Sequence, residues 1–463
     1  MIALAAGAAP VHAQPVVTTT EAGAAGPAVA RPAAVRFSLA DALTLARRDH
    51  PSLRAAAGRR LSAVGAARQD AAFFNPVVEW RRENIGAPIP RDEFVTATLG
   101  ADAYGRRYAL RGLVGSVAAR AAADSTVTGR AVEFDVARAY WRAALAIALR
   151  DVADAQRRAV DSLSAVQARR AREGAVAEGA AMRTALEADR VRLTAATARA
   201  DAERARGDLA RALAQPLDVV PWPTDSLEPG ARARVAVAGV GGPDPRTSQA
   251  RLVAAVASTE VTPATSAPDP RAYAAAALRG RPEILAARAR LAETERRVRA
   301  ERLGGLPGVG AVSGYKGTGG YRTGGLGVFV SVPLFDRNQG ARARAAGDLL
   351  AAQNDLRAQE AQITAEVEAS VRAYAALLAE GPTGGGVAAA LDARGRDVAD
   401  VTAVAYREGA ATLLELLDAV RSRGDVRAAA VRWAADLRLA RLDLDRAVGA
   451  PAPDAQSPTT PIR

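Results

Sequence analysis

The pattern of apolar and polar positions changes abruptly within residues 325–340, which read GLGVFVSVPLFDRNQG. Large aliphatic residues occupy every second position from Leu326 to Val332, and this period of two predicts a β-strand with two different faces. Pro333 ends the strand because proline has no N–H to donate. Asp336 and Asn338 then stand where an N-cap oxygen is expected, ahead of an Ala-, Arg- and Glu-rich helical pattern. The sequence therefore predicts a strand that leads directly into a long helix.

The first half of the chain shows the same order of patterns. Ser38 is placed to cap a helix that extends to about Asp70, and Pro51 is expected to kink or divide it. Alternating segments at about 77–84 and 94–103, joined by a Pro- and Gly-containing turn, predict two strands. Each is of the order of the 9–11 residues with which a tilted strand crosses a bilayer. We interpret the alternation as one lipid-facing and one water-facing side.

A helical pattern without proline follows from residue 105 to about residue 174. At 1.5 Å per residue this is roughly 100 Å of helix, which needs partner helices along its length to bury its apolar stripe. Residues 172–175 predict a turn, and a return helix is expected to end near residue 214.

The second half repeats the first at a nearly constant displacement. Arg281-Pro282 corresponds to His50-Pro51 and Pro307 to Pro76, displaced by 231, while Gly340 and Gly409 correspond to Gly105 and Gly174, displaced by 235. A nearly constant displacement over these landmarks indicates a tandem duplication. The second repeat predicts strands at about 308–316 and 325–332, followed by a helical hairpin over 338–450. The insertion GPTGGG at residues 381–386 is expected to break the outgoing helix.

Four strands cannot close a barrel wide enough to contain water. The sequence therefore predicts that several copies share one barrel, and twelve strands from three chains give a sensible closure. The expected fold class is mainly α with a small β part: long antiparallel helical hairpins plus four strands per chain contributed to a trimeric 12-stranded transmembrane barrel, with an internal duplication.

The remaining segments carry few packing signals. Residues 1–13 predict the remnant of a signal peptide, and residues 14–36 a disordered segment. The two repeats are assigned to 37–215 and 273–450, the first with its helical hairpin over 105–214. A Pro- and Gly-rich linker is expected over 216–272 and a disordered tail over 451–463.

The amino-acid composition limits the kinds of functional site that the chain can contain. The chain has no cysteine, 4% aromatic residues and a net charge of +12 that is carried almost wholly by arginine. The absence of cysteine excludes disulfides, thiolate nucleophiles and thiolate metal sites. With only His12 and His50 as histidines, we predict no metal site, no cofactor and no enzyme activity. The charge alone is compatible with a cytosolic nucleic-acid-binding protein, but the interleaved Asp and Glu indicate solvated helix faces instead.

The chain resembles the TolC-like outer membrane efflux protein family over roughly residues 37–451. The resemblance rests on FSLADALTLARRDHPSL near the start, the Asn75-Pro76 strand entry, VSVPLFDRNQG, and YREGAATLLELLDA at 406–419. VSVPLFDRNQG with its long helix is most similar to the branch that works with heavy-metal resistance-nodulation-division (RND) pumps. The resemblance implies a homotrimer in outer membrane lipid of bacteria, extended by an α-helical tunnel through the periplasm. It also implies a periplasmic adaptor protein and an inner-membrane RND-type pump as partners, and no nucleic acid.

The resemblance also implies functional residues at the far ends of the helical hairpins. Glu415 and Asp418 match positions that form acidic rings at the periplasmic entrance, where carboxylates attract cations and raise one another's pKa; solvated coiled-coil positions are the alternative. Tyr406 matches a tyrosine that helps to latch the closed state. The two tips, Gly174 with Ala175 and Gly409 with Ala410, match adaptor-docking turns; ordinary helix C-cap glycines are compatible with this interpretation.

The expected function is passive conduction of metal ions or small toxic molecules from the adaptor and pump to the exterior. The outer component of a type I secretion or drug-efflux system remains an alternative. A structural coiled-coil surface protein is a further alternative from another class, although such proteins do not need duplicated strand hairpins.

Overall fold

The computed structural model describes residues 37–86, 88–225, 227, 269–379 and 386–450, and each repeat within them has the order helix, helix, hairpin, long helical hairpin. The elements of the first repeat are α1 (Leu39–Asp49), α2 (Pro51–Asp70), β1 (Val77–Glu83), β2 (Asp92–Ala101), α3 (Arg106–Arg172) and α4 (Glu178–Leu213). Those of the second are α5 (Pro270–Gly280), α6 (Pro282–Leu303), β3 (Gly308–Thr318), β4 (Tyr321–Ser331), α7 (Gln339–Ala379), α8 (Gly386–Arg407) and α9 (Leu413–Val448).

The duplication is visible in the element bounds. Helices α1 and α5 each have 11 residues and start 231 positions apart, whereas α4 and α9 each have 36 residues and start 235 positions apart. The bounds of α2 and α6 also start 231 positions apart. The two repeats are therefore equivalent in their entry helices and return helices, whereas the single helix α3 corresponds to α7 and α8 together.

Local capping explains where the first helices begin and end. The Ser38 hydroxyl accepts a hydrogen bond from the Asp41 amide while the Asp41 carboxylate accepts one from the Ser38 amide, which is a reciprocal capping box. His50 ends α1, and its Nδ1 accepts from the Ser52 amide at the start of α2. Pro51 occupies the first position of α2, where its missing N–H costs nothing. The proline thus divides the helix, as the sequence predicts.

The long helices pack side by side in two tiers. Near the sheet α3 lies between α2 and α6, and α6 is followed by α7; farther away α3 lies between α4 and α9, and α9 is followed by α8. Helix α3, with 67 residues, joins both tiers and extends for roughly 100 Å. No helix in the described ranges combines the length and hydropathy that crossing a bilayer requires.

The four strands form one antiparallel sheet in the order β1-β2-β3-β4. One face, which we call the apolar face, bears Val78 and Trp80 of β1 and Leu326, Val328 and Val330 of β4, all largely exposed. Its middle strands contribute Val95, Ala97, Leu99, Val309, Ala311 and Tyr315 in register with them. The opposite face, the polar face, bears most of the charged and hydroxyl side chains: Glu79, Arg81, Glu83, Asp92, Thr96, Thr98, Lys316, Thr318 and Thr323.

The ends of strand β2 differ from the predicted ones. Contacts of polar side chains determine where it begins and ends, and the alternation of apolar and polar residues does not reveal these contacts. Strand β2 starts at Asp92, not at 94, because Asp92 pairs with Lys316 at 2.8 Å. It ends at Ala101, not at 103, because the Asp102 carboxylate turns to accept from the Arg107 and Tyr108 amides.

The second hairpin is longer than the predicted one. Strand β4 starts at Tyr321 rather than 325, and β3 continues to Thr318. The turn is reduced to Gly319 and Gly320, with φ of +55° and +95°. Glycine accepts this left-handed backbone without strain, so a two-residue turn can extend the strand pairing to its limit.

Two other expectations need correction. The Asn338 side chain does not cap α7; its Nδ2 donates to the Glu301 carbonyl and carboxylate at 2.8 and 2.9 Å. The linker ends earlier than residue 272, because Asp269 caps α5 from Pro270. Helix α7 ends at Ala379 and α8 begins at Gly386, and the expected break lies outside the described residues.

Each repeat has its own core at the level of the entry helices. In the first repeat α1 packs on α3 and α4 around Tyr140, whose hydroxyl lies 2.9 Å from the Phe37 carbonyl oxygen and 2.8 Å from Asp225 Oδ2. Burial, followed by the Asp225 contact, raises the pKa of Tyr140. In the second repeat the buried Arg281 bridges Glu366 at 2.7 Å and Glu283 at 3.1 Å. These contacts fix the entry helices against the long hairpins.

Candidate functional site

The two helical tips have the same backbone geometry. Gly174 and Gly409 have φ of +71° and +80°, which glycine adopts freely. The Ala175 amide donates to the Arg170 carbonyl at 2.9 Å and the Ala410 amide to the Ala405 carbonyl at 2.8 Å, the six-residue bond of a Schellman motif. Both tip glycines are therefore helix C-caps, and both tips are exposed. Whether they also dock an adaptor remains a prediction.

Tyr406, at the end of α8, connects the two tips. Its hydroxyl accepts a hydrogen bond from Gln167 Nε2, and Arg170 Nη1 lies 3.4 Å away. The Arg170 guanidinium also lies over the Tyr406 ring at 6.0 Å. Gln167 is 1% exposed, so its amide depends on this partner. The tyrosine predicted as a latch thus joins α8 to α3, whose residues are 239 positions away in sequence.

Glu415 has a structural role that the sequence analysis did not assign. The Thr412 hydroxyl accepts from the Glu415 amide, while the Glu415 carboxylate accepts from the Thr412 amide at 2.7 Å and its hydroxyl at 3.0 Å. This capping box starts α9. The Thr412 amide, then its hydroxyl, holds the pKa of Glu415 below the usual 4.5. Within one chain the pKa change is therefore opposite in direction to the increase expected for a ring of carboxylates.

Asp418 lies one turn after Glu415 and is likewise exposed. Three positions apart on a helix, the two carboxylates share one face of α9. Behind them Arg421 forms an ion pair with Glu187 of α4, which raises the pKa of Arg421. Val420 packs in the same region against Val160, Ala188 and Val191. The helix that carries Glu415 and Asp418 is thus held against the first helical hairpin by an ion pair and by apolar packing.

The second tip carries polar residues that the first one lacks. The positions displaced by 235 from Tyr406, Glu415 and Asp418 are Ala171, Ala180 and Arg183. Thr412 corresponds to Ala177, which makes no side-chain cap. The repeats have therefore diverged at the tips while their backbones remain equivalent.

The polar face of the sheet carries a cluster of charged side chains. Its strand-hairpin end carries Phe94, with the Arg81 guanidinium 4.9 Å and the Lys316 amine 5.0 Å from the ring centre. Lys316 also bonds Asp92, whose other contact is the Thr318 hydroxyl at 2.5 Å. These charges lie on the face opposite the apolar one, so the sheet separates water-facing from apolar surface.

Exposed apolar stripes run along the outermost helices of the helical layer. In the tier far from the sheet, Met182, Leu186 and Leu193 are exposed on α4, and Val398 and Val401 on α8. The stripe on α4 lies opposite the side that buries Ala188 and Val191 against α3. Among the described residues no further strand pairs with the outer sides of the edge strands β1 and β4.

Two functional side chains were missed at the sequence level. The pattern Thr-x-x-Glu at 412–415 is a capping-box signature and could have been found. Gln167 has no local signal, because its role depends on a contact across the fold. In the described part of the chain no group of three or more His, Cys, Asp or Glu side chains is arranged to hold a metal ion.

Comparisons with known proteins find one family model that matches part of the chain and several solved structures with a similar fold. The family model for outer membrane efflux proteins matches residues 274–450, the second repeat. No curated protein sequence matches the chain significantly. Among solved structures, the chain is similar to the Campylobacter jejuni CmeC outer membrane channel, with a TM-score of 0.67 and 13% identity over 90% of this chain and 87% of that one.

Two further channels have the same fold. The outer membrane protein VceC of Vibrio cholerae gives a TM-score of 0.65 with 19% identity over 90% of this chain and 97% of that one. The open state of the Neisseria gonorrhoeae MtrE outer membrane channel gives 0.64 with 16% identity over 89% of each chain. At these identities the structures establish a shared fold, which includes both repeats.

Proposed function

We propose that this chain is the outer membrane duct of a tripartite efflux system. Its second repeat matches the family model for outer membrane efflux proteins, and its fold is similar to that of outer membrane channels. It conducts passively, from a periplasmic adaptor and an inner-membrane RND-type pump to the exterior. The observation that carries the proposal is the sheet with one exposed apolar face and one charged face at the end of roughly 100 Å of helix.

The proposal requires three copies of the chain. A sheet whose edge strands β1 and β4 are both open is not stable in lipid. Each unpaired backbone N–H or C=O group in the hydrocarbon region would cost on the order of several kcal/mol. Pairing β4 of one copy with β1 of the next closes twelve strands. The same arrangement brings the stripe on α4 against that on α8 of a neighbour, so that the strands and the helices close together.

At the periplasmic end we assign a gate to the second tip. Glu415 and Asp418 are proposed to form two acidic rings in the trimer, which favour cations at the entrance. Tyr406 with Gln167 and Arg170 is proposed to hold the resting state by tying α8 to α3. Gly174, Ala175, Gly409 and Ala410 are proposed to present the turns that contact the adaptor.

The cargo is proposed to be metal ions or small toxic molecules. The heavy-metal RND branch is supported by the sequence VSVPLFDRNQG ahead of α7. A type I secretion or drug-efflux duct is the alternative, and a transport assay separates them: deletion of the chain should raise sensitivity to metal salts in the first case and to organic toxins in the second.

Fractionation of cells tests the class of protein directly. We expect the chain in the outer membrane fraction, running unheated on a denaturing gel as a trimer that heating converts to the monomer. A soluble monomer in the cytosol or periplasm would refute the duct.

A further inference from the structure

The apolar face of the sheet ends in a charged row at the hairpin side. The register places Arg82, Glu93, Gly317 and Arg322 directly opposite one another across all four strands. The next row inward is Trp80, Val95, Tyr315 and Gly324, and beyond it the face is almost entirely apolar. Two arginines therefore stand at the boundary where the apolar surface stops.

Each arginine is held against an aromatic ring of the second row. The Arg82 guanidinium lies 5.5 Å from the Trp80 ring centre, and the Arg322 guanidinium lies 6.0 Å from that of Tyr315. Such contacts keep a cation at the surface at little cost in hydration. Aromatic rings at this depth are typical of the boundary between lipid tails and headgroups.

The charge of the row is available to a ligand. Glu93 accepts a hydrogen bond from Trp80 Nε1 at 2.7 Å and is 3.9 Å from Arg82, so its carboxylate is only weakly paired with that arginine. In the described part of the chain Arg322 has no carboxylate partner. The row thus carries a net positive charge.

Between the arginines the surface is notched. A Cβ atom at Gly317 or Gly324 would meet no side chain within 4 Å, only backbone oxygens at 3.9 Å or more. The notch is bordered by Tyr315, by Arg322 and, on the β2 side, by Glu93, and Arg82 lies one strand beyond Glu93. With strands 4.7–4.9 Å apart, the two arginines are separated by roughly 14 Å at the backbone.

We propose that this row binds the phosphorylated headgroup of a lipid in the outer leaflet, resting on the proposed function for the orientation of the sheet. A guanidinium pairs phosphate oxygens through parallel N–H bonds, so each arginine takes one phosphate. Because the pair is separated by three strand spacings, the occupant that fits is a glycolipid with more than one phosphate, such as lipopolysaccharide, rather than a phospholipid with one.

The test uses the purified trimer in neutral detergent and measures the temperature at which it dissociates on gels. The probes are lipopolysaccharide, the same material after enzymatic removal of its phosphates, and phosphatidylglycerol. We expect lipopolysaccharide alone to raise the dissociation temperature. In the double variant Arg82→Gln with Arg322→Gln, the half-saturating concentration of lipopolysaccharide should rise by about tenfold for each arginine removed.

Arg81→Gln is the matched control, since Arg81 is the neighbouring arginine on the polar face and is similarly exposed. It should respond to lipopolysaccharide as the wild type does. The proposal is overturned if the double variant keeps the full response, if Arg81→Gln loses it equally, or if the dephosphorylated material or phosphatidylglycerol acts as well. Those outcomes leave a lipid-independent trimer intact, whereas failure of the proposed function appears as no trimer under any condition.

Discussion

At the residue scale the tip depends on a few side chains that each satisfy a buried or orphaned polar group. Gln167 is buried and is bonded by Tyr406, and the Thr412 amide at the start of α9 is bonded by Glu415. A buried polar group that loses its hydrogen-bond partner destabilises the folded state, so single substitutions at these two contacts should have measurable effects on local stability.

Tyr406→Phe should loosen the connection between α8 and α3. The buried Gln167 amide loses its acceptor, at a cost of about 1–3 kcal/mol for local opening. We expect faster amide exchange over residues 160–172 and a higher resting conductance in planar bilayers. Tyr108→Phe is the control, because Tyr108 is 82% exposed. Equal conductance in the two variants would contradict the latch.

Thr412→Ala should fray the first turn of α9, whereas Glu415→Gln should not, because glutamine can also accept in a capping box. We expect roughly fivefold faster amide exchange at residues 413–416 in the alanine variant.

The pH dependence of this turn follows from the Glu415 carboxylate, whose pKa lies below 4.5 in the folded chain. The stability that this carboxylate gives to the first turn of α9 is therefore fully present above the usual glutamate pKa. It is lost as the pH falls through the lower pKa of the folded chain. Wild-type protection factors that fall already between neutral pH and the usual pKa would contradict the assignment.

At the element scale the sequence predicts what is local and periodic. The helices, the strands, the division at Pro51 and the duplication all follow from spacing and from backbone-specific residues, so they could be predicted. The start of β2 could not be predicted, because Asp92 alone is typical of a loop and joins the strand by pairing with Lys316 of the neighbouring strand. The Gln167–Tyr406 bond could not be predicted either, since no short-range pattern specifies which helices become neighbours.

The exposed stripes on α4 and α8 give an element-scale prediction. Leu186→Glu should lower the dissociation temperature of the trimer, because each interface loses about 2–3 kcal/mol of leucine burial and gains a charge facing Val398 and Val401. Thr194→Glu, on the same helix but rotated away from the stripe, should have little effect. If both variants dissociate like the wild type, α4 does not face a neighbouring copy.

At the scale of the whole molecule, the proposed duct places the strand hairpins at the cell exterior and the helical tips in the periplasm. Lys316 is the only lysine of the chain and lies on the polar face near the strand hairpins. An amine-reactive reagent that cannot cross membranes should therefore modify Lys316 on intact cells, as mapped by mass spectrometry of the peptide. In a Lys316→Arg background, Ala175→Lys at the opposite tip should react only after the outer membrane is permeabilised. Labelling of the tip on intact cells would reverse the orientation.

The central claim is that strands from neighbouring copies join edge to edge into one closed wall, and cysteine cross-linking tests it most directly. The chain has no cysteine, so Val78→Cys on β1 and Val328→Cys on β4 introduce the only thiols. Within one chain these edges are separated by roughly 14 Å of sheet, beyond a short bis-maleimide, whereas in the closed wall they are adjacent between copies. We predict covalent dimers and trimers on denaturing gels of outer membranes from the double variant, and monomers from each single variant. Monomers from the double variant, with both thiols accessible, would contradict the account.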